Sequence, residues 1–168
     1  RTSDGEEIHV CVNIGSPDDM NGYAAEHPDG VGLFRTEFLY SAASKKPTVE
    51  EQTKAYREVF EKSDGTPVTV RTLDIGGDKL LTYMHMDKED NPFLGNRGIR
   101  LCLNNPDIFA EQIRALLIAA HGMNAKIMLP MITSVSEIGA ARKVIKGVCA
   151  ELDAEGIDYA GDIPVGIM

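Results

Sequence analysis

Five short apolar runs, spaced so that helical patterns fit between them, set the tightest limit on what this chain can fold into. They are Ile8 to Ile14, Val31 to Phe34, Val68 to Val70, Ile127 to Ile132 and Ile163 to Met168. Each is rich in β-branched residues and apolar at nearly every position instead of alternating, the pattern of a strand buried on both faces. The segments between them carry helix start signals. Ser16-Pro17-Asp18-Asp19 offers an N-cap, a proline at the first helical position and acids in the first turn. Thr48 with Glu51 and Ser134 with Glu137 form capping boxes, and Asn105-Pro106 opens a further helix. Apolar stripes follow each of the last three starts: Val49, Tyr56, Val59 and Phe60; Phe109, Ile113, Leu116 and Leu117; Ile138, Ala141, Ile145, Val148 and Leu152. Ser63-Asp64-Gly65 reads as a stop and Gly122 as a C-cap.

Strands alternating with helices define the parallel α/β class. A barrel and a doubly wound sheet read alike at this level, and the pattern supplies about five strands and four helices where a closed barrel needs eight of each. A barrel would therefore be incomplete. The chain starts at Arg1, and Met168 lies inside the apolar run from Ile163, so a piece of a longer protein is expected.

With 168 residues, 43% hydrophobic and 26% charged, the chain can bury a sizeable core. A formal net charge of -9 supplies no broad positive field for nucleic acid or an anionic membrane, so any bound anion needs a local cationic cluster. Cys11, Cys102 and Cys149 are odd in number and lack metal-ligand spacing; they read as small core residues in a reducing compartment, the cytoplasm. His9, His27, His85 and His121 have no partner at a catalytic or metal spacing, so no catalytic residue and no metal ligand is assigned.

Two strand endings are alike. Val31-Gly32-Leu33-Phe34-Arg35-Thr36-Glu37 and Val68-Thr69-Val70-Arg71-Thr72-Leu73-Asp74 both run from a buried strand into Arg-Thr and then an acid. Such ends share one mouth in a parallel α/β domain, and a guanidinium donates two parallel hydrogen bonds to phosphate or carboxylate. The plain alternative pairs Arg35 with Glu37 and Arg71 with Asp74 as structural ion pairs. After Arg71 comes Asp74-Ile75-Gly76-Gly77-Asp78-Lys79, where the glycines free backbone N–H groups and Lys79 adds a charge. Roughly 30 residues separate this strand from the Asn105 helix start, long enough to be functional. They include Asn91-Pro92-Phe93-Leu94-Gly95-Asn96-Arg97-Gly98-Ile99-Arg100, in which Arg97 fits either a ligand or a structural role and Arg100 a structural pairing.

These three stretches, with Val12-Asn13-Ile14-Gly15 and Met128-Leu129-Pro130-Met131-Ile132, resemble enzyme I of the phosphoenolpyruvate-dependent sugar phosphotransferase system, collinearly from about Gly5 to Met168. Related dikinases and phosphoenolpyruvate synthases resemble the first motif but do not usually combine Arg-Thr-Glu-Phe with Asp-Ile-Gly-Gly-Asp-Lys. The resemblance implies an incomplete (β/α)8 TIM-type barrel, with residues 1–168 as the N-terminal part of the phosphoenolpyruvate-binding domain, ending at the fifth strand. It implies Arg35, Arg71 and Arg97 as substrate-binding residues, to which the residue pattern adds Lys79, and Mg2+ as cofactor. Its implied partners are phosphoenolpyruvate, a histidine-containing phosphocarrier protein reached through a separate domain, and a second copy in a homodimer. The family's phosphorylated histidine, metal-binding acids and catalytic cysteine have no counterpart here, so the chain alone is expected to be inactive. Asn96 departs from the family pattern, where an aromatic residue is expected. A different expectation is an assembly module without ligand affinity, whose open sheet edges self-associate.

Overall fold

A computed structural model describes residues 1–41, 45–76, 83 and 89–168. Five strands form one sheet: β1 Cys11–Ile14, β2 Gly30–Arg35, β3 Val68–Arg71, β4 Ala125–Leu129 and β5 Val165–Ile167. Their spatial order is their sequence order, and every pairing is parallel. This order separates the two architectures that the sequence left open, because a doubly wound sheet reverses direction at a switch point and a barrel never does. The three long helices agree. α3 Val49–Lys62 packs on α5 Pro106–Ala119, which packs on α6 Val135–Glu155. Successive helices that touch one another lie on one side of the sheet. The chain is an α/β unit built as part of a TIM-type barrel, unclosed at five strands.

Local chemistry explains the elements. Thr48 and Ser134 each accept the N–H three residues on, while Glu51 and Glu137 return the bond to the cap N–H. Asp19 accepts from the Gly15 and Ser16 amides and closes a 3-10 turn over Pro17–Met20, where a short helix is expected. Asp64 and Gly65 take positive φ just beyond α3 and stop it. α5 ends earlier than the sequence reading, at Ala119, and Gly122 lies in the turn after the cap.

Three further readings are corrected. Ile8 and Val10 are exposed and precede the first strand, which starts only at Cys11. Pro130 has no N–H for a ladder, so the fourth strand closes at Leu129 instead of running to Ile132. The strands are buried on one face instead of two: Val68, Val70, Ile127 and Leu129 are sealed, while Thr69, Lys126 and Met128 between them are not. The helices cover one face, and among the described residues no element covers the other. Three short helices also went unread: α1 Tyr23–Glu26, α2 Glu37–Ser41 directly after β2, and α4 Ile99–Asn104 inside the long connection.

Candidate anion site at the ends of β2 and β3

Arg35 and Arg71 are register partners, each the last residue of its strand. The preceding pair, Phe34 and Val70, is fully buried on the helix side, with Phe34 edge-on to Tyr56 of α3 at 6.0 Å. Because side chains alternate along a strand, both arginines project from the opposite, uncovered face.

Their surroundings differ. Arg35 is exposed, its guanidinium lies 5.3 Å from the centre of the Phe38 ring, and it forms no ion pair among the described residues. Phe38 can lie there because Gly15 is bare: a Cβ at that position would come within 2.7 Å of the ring. Asp19 sits nearby, its carboxyl held below the ordinary range chiefly by the Gly15 N–H, with a smaller contribution from the Arg35 charge.

Arg71 is only 12% exposed and is gripped at both terminal nitrogens. Nη2 donates to Glu37 Oε1 at 2.9 Å, and Nη1 lies 3.1 Å from Asp74 Oδ2. Of the two ion pairs in the structural alternative, Arg71–Asp74 is present and Arg35–Glu37 is not. The chain turns at Thr36 to start α2, and this carries the Glu37 carboxylate across to β3, where Oε1 also accepts the Asp74 amide at 3.1 Å. Asp74 in turn accepts from Arg97, with Nε at 2.9 Å from Oδ1.

Arg97 reaches this cluster from the long connection, with its guanidinium 5.4 Å from the centre of the Phe93 ring. Its loop is fastened to the end of β4. Ile99 N–H donates to Pro130 carbonyl at 3.1 Å, and Gly98, at φ +57, lies where a Cβ would strike the Met131 side chain at 2.9 Å. Arg100 donates to the Leu94 carbonyl and braces the same loop. Lys79, Gly77, Asp78 and His85 lie outside the described residues.

Beneath the arginines runs a buried polar chain. Gln112 of α5 accepts the Leu73 amide at 2.9 Å and donates to Thr36 Oγ1 at 3.1 Å and Tyr56 Oη at 3.2 Å. Thr36 Oγ1 passes the link to the Arg71 carbonyl at 2.9 Å. The sequence reading missed Gln112, although its signal was present: one amide on the apolar stripe between Phe109 and Ile113. Of the cysteines, Cys102 is a core residue whose thiol burial pushes up to about 12, and Cys149 is half-buried. Cys11 is exposed, contrary to expectation, because its strand is the sheet edge.

Among the described residues, the guanidiniums of Arg35, Arg71 and Arg97 lie among the carboxylates of Glu37, Asp74 and, beside Arg35, Asp19. Guanidiniums at neighbouring strand ends have the donor geometry that a small, multiply charged anion requires. The whole chain, residues 1–168, matches the family model described as the PEP-binding domain of PEP-utilising enzymes, and the chain belongs to that family. It is 48% identical over 167 residues to proteins named phosphoenolpyruvate-protein phosphotransferase from Priestia megaterium and Geobacillus stearothermophilus, and 47% identical to one from Staphylococcus carnosus. Each alignment covers 99% of this chain and 29% of the relative, so the chain spans less than a third of the curated proteins it matches.

Proposed function

We propose that this chain supplies the anion-gripping part of a site in which phosphoenolpyruvate gives its phosphoryl group to a histidine, and thence to a histidine-containing phosphocarrier protein, during sugar uptake. The observation that carries this reading is the register pairing of Arg35 and Arg71 at adjacent strand ends on one face. Arg35 and Arg71 would hold phosphate or carboxylate oxygens, with Arg97 and Lys79 adding charge. Fixed guanidiniums neutralise the equatorial oxygens of the transferring group and the departing enolate without rearranging during the reaction. Relatives named as protein phosphotransferases favour this over a dikinase or synthase.

The described residues do not fit a metal ion. Glu37 and Asp74 are both taken up by guanidiniums, and no cluster of three His, Cys, Asp or Glu forms among the described residues. In this reading the Mg2+ ligands lie outside the chain, and no histidine of the chain accepts the phosphoryl group. A cytoplasmic homodimer completes the proposal; among the described residues no helix is long and apolar enough to cross a membrane.

Calorimetric titration of phosphoenolpyruvate into the chain tests it. Arg35→Ala, an exposed change, is expected to weaken binding on the order of ten-fold or more, the worth of a charge-assisted hydrogen bond. Unchanged heats in Arg35→Ala would reject the assignment.

A further inference from the structure

We infer that Glu37, the first residue of α2, is the positioning residue that aims the Arg71 guanidinium at the end of β3. This rests on the reading of Arg71 as a substrate-binding arginine. Glu37 is 3% exposed and belongs to the first turn of a five-residue helix, so its carboxylate has little freedom to swing away. One oxygen, Oε1, accepts from both Arg71 Nη2 and the Asp74 amide. The same atom thus fixes the arginine and the backbone of the acid that grips the arginine's other nitrogen.

A guanidinium held at both terminal nitrogens cannot rotate about its Nε–Cζ bond without breaking a buried, charge-assisted bond. Its plane is set before any ligand arrives, and its remaining N–H donors keep one orientation. Arg71 carries five donors, and the two carboxylates account for one on each terminal nitrogen. An anion meeting Arg71 finds fewer donors, already aligned. Such alignment favours a ligand whose oxygens match the fixed fork and removes the ordering cost otherwise met on binding.

The partner choice is also informative. The acid two residues after Arg35 serves the arginine of the next strand, so β2 and β3 are locked at their tips as well as along their ladder. Glu37 touches no substrate atom in this account; it acts through Arg71.

Glu37→Gln and Glu37→Ala in the full chain, with nitrogen-detected NMR of arginine side chains and phosphoenolpyruvate titration, test the inference. The native chain should give two resolved Nη signals for Arg71, the mark of slow rotation. Glu37→Ala should merge them and weaken phosphoenolpyruvate binding on the order of ten-fold, the loss expected of a displaced charge-assisted bond. Glu37→Gln keeps an oxygen acceptor at nearly the same place, so it should retain the resolved pair and recover part of the affinity. Resolved signals that persist in a folded Glu37→Ala chain overturn the inference, as does a merged pair with unchanged affinity. If Glu37→Ala fails to fold, Glu37→Gln decides: two signals at native separation with full affinity loss overturn it. A native chain that shows the resolved pair but no phosphoenolpyruvate binding sinks the proposed function and leaves Glu37 as the residue orienting Arg71.

Discussion

The tips of β2 and β3 carry the same Arg-Thr pair and treat it in opposite ways. At β2 the arginine rests on an exposed aromatic ring and faces solvent. At β3 it is nearly sealed between two buried carboxylates. The lesson is that both acids after the Arg-Thr pairs serve one arginine: Glu37 leaves Arg35 and joins Asp74 in holding Arg71. One corner therefore holds an exposed cation beside a buried, doubly paired one, which under the proposed function would divide capture from alignment.

The sharpest way to break this contrast is to compare the two truncations in denaturant. Arg71→Ala leaves Glu37 and Asp74 buried without their shared cation and is expected to cost about 3–5 kcal/mol. Arg35→Ala removes an exposed stacking contact and should cost about 0.5–1 kcal/mol. Equal losses would erase the distinction.

Gln112→Ala sits next in size, because it strands the Leu73 amide and takes one partner each from the Thr36 hydroxyl, which keeps the Arg71 carbonyl, and the Tyr56 hydroxyl, which keeps Gln52; we expect about 2–3 kcal/mol by urea unfolding. A loss below about 1 kcal/mol would mean that the buried chain does not anchor the strand tips.

Alkali acts on the same buried layer. Burial raises Tyr40 and Tyr56 well above their ordinary range and holds the Cys102 thiol at about 12, so the folded state keeps protons that the unfolded chain releases. Their contribution is whole below about pH 9 and is lost as pH climbs past 10, each group costing about 1.4 kcal/mol per pH unit. Denaturant midpoints measured from pH 8 to 11 should fall steadily; a flat profile would contradict sealed phenols.

The smallest effect concerns thiol labelling at pH 8. Cys11, on the edge strand beside β2, should react at once. Cys102, whose Sγ donates to the Leu73 carbonyl behind β3, should react only on unfolding. Comparable rates would mean that the β3 side opens as readily as the β1 edge.

Much of this was legible in the sequence, for physical reasons. Capping boxes at Thr48 and Ser134 are local, so four residues suffice to read them. The strand positions of Arg35 and Arg71 follow from apolar runs that end in the same dipeptide. What escaped depends on pairing across strands. Nothing local says that Glu37 will reach Arg71 instead of Arg35, because that choice is made by the turn at Thr36 and by strand register. Strand order escaped as well: helices that lie all on one side and helices that alternate sides leave the same stripes. The apolar composition of the strands also overstated burial, since an apolar residue on the uncovered face, such as Met128, reads like one in the core.

The unbroken order of strands from β1 to β5 has a bearing on how the chain acquires its shape. Each new strand needs only the edge left by the one before, so pairing can follow sequence order, with the largest closure cost where the connection from Arg71 to Ala125 brings β4 to β3. Order should spread outward from the middle: amide exchange should be slowest in β3, flanked on both sides and backed by α5, and fastest in β1 and β5. Growth by this rule resembles laying tiles against an open margin, where the last tile always presents the seat for another.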